Sequence, residues 1–170
     1  MVERHGLGGN PDRIMRAVVD GVVQRYRREG APLIAGVRET VERLGARYPL
    51  AVASSSHPAV IEAALSTSGL APWFAVIVSS DEVSYGKPAP DVFALAGRRL
   101  GVPAERVVVV EDSLNGVRAA KAAGMAVALV PNRTVPPAPG TADLADLVVE
   151  PIAALDPEAV LAAARAGRAG

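Results

Sequence analysis

Residues 106–125, RVVVVEDSLNGVRAAKAAGM, decide the fold class. Arg106–Val110 is an apolar run without polar alternation, the pattern of a parallel strand buried on both faces. Ser113–Ala123 then reads as a helix stopped by Gly124, because glycine accepts the left-handed turn that ends helices.

The same unit recurs on either side. Toward the N-terminus, Tyr48–Ala53 is a strand-length run followed by a helix over Pro58–Ser68. Phe74–Val78 is followed by a helix over Asp91–Leu100. Toward the C-terminus come a strand at Met125–Val130, a short one at Leu147–Val149 and an alanine-rich helix at Pro157–Ala166. The proline-rich stretch Val135–Gly140 is a loop. Short buried strands alternating with helices predict an α/β, doubly wound parallel sheet. Two helices precede it. Over residues 11–28, Ile14, Val18, Val22 and Tyr26 recur as one stripe, and a second helix covers about Gly36 to Arg47.

The 170 residues suffice for one cored domain. Half are hydrophobic and net charge is zero, so no basic field invites nucleic acid or an anionic membrane. The absence of cysteine excludes disulfides, cysteine–zinc sites and thiol catalysis, and fits a reducing compartment. The polar start MVERHGLGGNPDR has no apolar signal region. A cytoplasmic location is expected. Lys87 and Lys121 are the only lysines among many arginines; a helix surface accounts for Lys121.

Three polar groups follow the carboxyl ends of expected strands, the rim where open α/β sheets bind ligands. Ser54-Ser55-Ser56 suits a phosphate oxygen through hydroxyl and helix-start N–H groups, or simply caps the helix at Pro58. Lys87, within Gly86-Lys87-Pro88-Ala89-Pro90-Asp91, is a stiffly framed point charge for a phosphate, or sits in a surface turn. Glu111 and Asp112 are adjacent carboxylates that repel one another. A Mg²⁺ ion would relieve that repulsion; the plainer reading is that Asp112 or Ser113 caps the next helix. Together the groups fit phosphoryl transfer, where catalysis is mostly positioning and charge neutralisation.

Three segments carry a family resemblance: 51–65 AVASSSHPAVIEAAL, 83–96 VSYGKPAPDVFALA and 107–125 VVVVEDSLNGVRAAKAAGM. They resemble the second, third and fourth motifs of the haloacid dehalogenase superfamily, in that family's order. The branch most similar is the β-phosphoglucomutase and phosphoglycolate-phosphatase-like group, and the match runs from about Pro32 to Val149. The resemblance implies a Rossmann-like core over residues 32–170 and a remnant of a helical cap over 1–31. It implies that Ser54, with Ser55, binds the phosphoryl group and that Lys87 neutralises it. Asp112 would ligate Mg²⁺, with Glu111 as ligand or outer partner. The substrate would be a small phosphorylated metabolite.

One motif departs. The family's first motif, Asp-x-Asp-Gly, ends a central strand and supplies the nucleophile and the general acid/base. Its nearest imitation here, Val18-Val19-Asp20-Gly21, has valine at the nucleophile's place and falls inside a helix pattern. The resemblance therefore implies a core whose central first strand is missing, between the strand ending at Ser54 and the one ending at Glu111. Those two strands are expected either to face a slot or to close up and pair. The chain alone is expected to be inactive. The competing readings are a non-catalytic phosphate-binding or interaction protein and a phospho-receiver domain; receivers order their acids before the hydroxyl and lysine, the reverse of this chain. His5 is expected in a loose terminus and His57 as a solvated helix-start residue. Trp73 and Phe74 are expected to pack, and Tyr85 has no fixed place.

Overall fold

The computed structural model describes residues 10–169; His5 and the rest of the first nine residues lie outside them. Helix α1 (Pro11–Glu29) begins with Pro11 at its first turn and the Asn10 side chain accepting from the Asp12 N–H. Then come α2 (Val37–Gly45), β1 (Leu50–Ser54), α3 (Pro58–Ser68), β2 (Phe74–Ser79) and α4 (Asp91–Leu100). The chain continues with β3 (Val108–Glu111), α5 (Leu114–Ala122), β4 (Ala126–Leu129), a short α6 (Thr141–Leu144), β5 (Leu147–Val148) and α7 (Pro157–Ala169). The fold is α/β, with parallel strands flanked by helices.

Among the described residues the strands form two sheets rather than one. β1 pairs with β2, and β3, β4 and β5 pair in that order. β1 and β3 form no ladder with each other, so of the two expected outcomes the strands do not close up. The halves are joined by a common core instead. Ala51 and Ala53 of β1 and Val78 of β2 share one apolar cluster with Val109, Val127 and Leu129, under α4 and α5. Ala126, Ala128 and Val108 alternate to the opposite face, where α7 supplies Val160 and Ala164. This period-two division explains why β4 reads as an unbroken apolar run, both of its faces being covered; β3 departs from the expected buried strand at Val110, which is exposed. Trp73 and Phe74 pack with Ile61, Leu65 and Val52 in a third cluster.

The α1 stripe differs from expectation. Val23 is the buried residue, while Ile14 and Val18 stay exposed. Length supplies the reason. α1 packs on α3, but its 19 residues span about 28 Å at 1.5 Å per residue and the 11 of α3 only about 16 Å. The N-terminal half of α1 overhangs, and Ile14, Met15 and Val18 are left exposed among the described residues. Asp20 and Gly21 lie within α1, not at a strand end. No helix among the described residues is long and apolar enough to cross a membrane.

Candidate active site

β1 delivers Ser54 to the rim half-buried, with Ser55 and Ser56 exposed beyond it. The Ser54 Oγ accepts from the Ser56 N–H at 3.1 Å. The cap of α3 is not a serine. His57 Nδ1 accepts from the Ala59 N–H at 3.2 Å while the ring remains exposed. The serines are thereby relieved of capping the helix.

Lys87 reaches the same rim from the loop before α4; the Lys87–Pro88 peptide is cis. Its Nζ donates to the Ala53 carbonyl at 3.2 Å and to Glu111 Oε1, and stands 4.5 Å from the centroid of the Phe93 ring. Phe93 lies in the first turn of α4 and is buried. An ammonium over an aromatic face gains further attraction where water is scarce. Lys87 thus touches the ends of both half-sheets, next to Ser54 on one side and at Glu111 on the other.

Glu111 turns back over the start of α5. Its Oε2 accepts from the main-chain N–H groups of Asp112 at 3.1 Å and Ser113 at 3.3 Å, and from the Ser113 hydroxyl at 3.0 Å. Ser113 is the N-cap of α5, its Oγ accepting from the Gly116 N–H at 3.0 Å. Gly116 is forced by this arrangement, since a Cβ there would overlap the Glu111 carboxyl group. Asp112 is left exposed, and its side chain has no hydrogen-bond partner among the described residues. Of the acidic pair, only Asp112 presents free oxygens, and no cluster of three metal-ligating residues occurs among the described residues.

Ser113 as the cap of α5 is one of the sequence readings; the Ala53 carbonyl, Phe93 and the role of Gly116 were not anticipated. Gly116 did leave a signal: a glycine in the first turn of a helix is costly and implies close approach. Tyr85 is exposed. Lys121 pairs with Asp146, away from the rim.

Residues 2–124 match the model of the haloacid dehalogenase-like hydrolase family. The chain belongs to this family. Among its relatives, the fructose-1-phosphate phosphatase of Escherichia coli (strain K12) is 41% identical over 97 residues, 57% of this chain and 50% of that one. The phosphoglycolate phosphatase of the same strain is 32% identical over 113 residues, 66% of this chain and 45% of that one. The crystal structure of CbbY from Rhodobacter sphaeroides in complex with phosphate superposes with a TM-score of 0.75 at 34% identity, covering 87% of this chain and 67% of that one. The chain spans about half the length of the curated relatives it matches.

Proposed function

We propose that Ser54, Ser55 and Lys87 form a phosphate-binding site, and that the reaction they serve is Mg²⁺-dependent phosphoryl transfer from a small phosphorylated metabolite. The observation that carries this reading is the position of Lys87, whose ammonium touches both the residue before Ser54 and Glu111. Family membership and relatives named as phosphatases support it. Residues 1–31 are read as a cap remnant and 32–170 as the core. A cytoplasmic location is part of the same reading.

The charges at the rim support a need for a cation. Lys87 is offset by Glu111, and Asp112 adds a further negative charge, so a phosphate dianion would meet net repulsion. Mg²⁺ suits such a place because it accepts one or two carboxylates and otherwise keeps water. Asp112 would hold it, and Glu111 would act as the partner that fixes Lys87 rather than as a ligand. When bound, the ion would neutralise charge on the transferring group. Ser54 would donate to a phosphoryl oxygen, and Lys87 would orient it from the other side.

Among the described residues no carboxylate other than Glu111 is placed against Lys87. This favours a second reading, in which the 170-residue chain binds phosphate without turning it over. Titration of the purified chain with inorganic phosphate, with and without Mg²⁺, tests the site; Mg²⁺-dependent saturation that Lys87→Met abolishes is expected. Phosphate binding unaffected by Lys87→Met would overturn it. Hydrolysis of p-nitrophenyl phosphate at rates ordinary for the family would overturn the inactive reading and leave the site standing.

A further inference from the structure

β1 and β2 end side by side, with Ser54 and Ser79 in register. Ser79 is only 1% exposed, while Ser55 and Ser56 beside it face solvent. A buried hydroxyl needs partners, and this one both accepts and donates. Its Oγ accepts from the Asp81 N–H at 3.1 Å and donates its single proton to the Ser56 carbonyl at 2.8 Å. The Ser79 N–H in turn donates to Glu82 at 2.8 Å, and Glu82 also accepts from Arg99. The bond from Asp81 is an ordinary cap of the turn at Ser80–Glu82, a duty that aspartate serves equally well. The bond to Ser56 is a second duty, reaching 23 residues back to the rim loop. An ionised aspartate has no proton to give it.

Ser56 is thereby held at both ends, its N–H by the Ser54 Oγ and its carbonyl by Ser79. Two consequences follow for an anion at the rim. The Ser54 hydroxyl accepts from Ser56 and so keeps its own proton for an outside acceptor. The Ser56–His57 peptide is trans and planar, so a carbonyl drawn toward buried Ser79 turns the His57 N–H the opposite way. We propose that Ser79 is the positioning residue of the phosphate loop. Through the Ser56 carbonyl it fixes residues 54–57 in the shape that offers the Ser54 O–H and the His57 N–H to an anion. This inference rests on the phosphate reading above and adds to it a buried residue that never touches the ligand.

The test titrates the full chain with inorganic phosphate in the presence of Mg²⁺, followed by amide ¹H–¹⁵N spectra. Ser79→Ala is expected to weaken phosphate binding roughly tenfold, the upper range for one hydrogen bond. It should also move the amide resonances of Ser55, Ser56 and His57 before any phosphate is added. Ser68→Ala is the control for lost stability. Ser68 is likewise buried and donates to a main-chain carbonyl, that of Leu65 at 3.1 Å, but at the far end of α3. Its variant should unfold at a lower temperature and keep its phosphate affinity within about twofold. Parental affinity in Ser79→Ala, or an equal loss in Ser68→Ala, overturns the proposal. If the parent chain binds no phosphate, the phosphate reading falls alone as long as Ser79→Ala moves those three amides; unmoved amides overturn the positioning too. Should Ser79→Ala fail to fold, Ser79→Cys, whose thiol is a weak donor, is held to the same outcomes.

Discussion

Lys87 and Glu111 form an ion pair nearly sealed from solvent, with side chains 12% and 8% exposed, and it joins the loop before α4 to the end of β3. Glu111 also gathers three donors from the start of α5. The pair is therefore both the strut between half-sheets and the centre of the rim.

Removing one partner leaves the other charge buried without compensation, which costs about 3–5 kcal/mol. Lys87→Met is expected to lose that much in urea unfolding. Adding Glu111→Gln should return part of it, because the stranded charge is gone while an acceptor remains for Asp112 and Ser113. If the double variant is as unstable as the sum of the two singles, the charges do not act as a pair.

Gly116 offers a steric test of the same seat. Gly116→Ala would drive a methyl group into the Glu111 carboxyl and is expected to cost about 1–3 kcal/mol, the usual range for overpacking. In a Glu111→Ala background the same change should be close to neutral. A cost that persists there would mean the carboxyl is not the obstacle.

Glu82 supplies a pH signature. A hydrogen bond from the Ser79 N–H at 2.8 Å, and then Arg99 at 2.8 Å, hold its carboxyl below the ordinary 4.5. Its contribution to stability is therefore complete above 4.5 and disappears as pH falls through the lower folded-state value. The Tm difference between the parent chain and Glu82→Gln should shrink across that acid window. A difference independent of pH would show that ionisation of Glu82 contributes nothing.

The overhang of α1 separates two valines of one helix. Val23→Ala removes buried methyl groups facing α3 and should cost about 1.5 kcal/mol. Val18→Ser, on the exposed half, should stay within about 0.5 kcal/mol. Equal losses, measured by thermal unfolding, would mean that the whole helix is packed.

Asp112 is a rim carboxylate free of structural duty. Asp112→Asn is expected to leave stability within about 0.5 kcal/mol while weakening the Mg²⁺ dependence of phosphate binding. Unchanged Mg²⁺ dependence, read by calorimetric titration, would remove Asp112 from the metal site.

The runs at Val107–Val110 and Met125–Val130, and the helix stop at Gly124, are local signals. Solvent, backbone sterics and periodicity act over a few residues, so the chain order of strands and helices and the rim position of Ser54, Lys87 and Glu111 were legible without coordinates. The partners of Lys87 were not. Ala53 and Glu111 lie 34 and 24 residues away, and only the packing of α4 against β1, β2 and α5 brings Lys87 to them. The same holds for the division of labour between Glu111 and Asp112, identical in their local pattern until one side chain folds over Gly116 and the other stays in water. Sequence periodicity set which elements form. Tertiary structure decided which polar groups are already satisfied and which are left to bind, because that depends on what each meets across space.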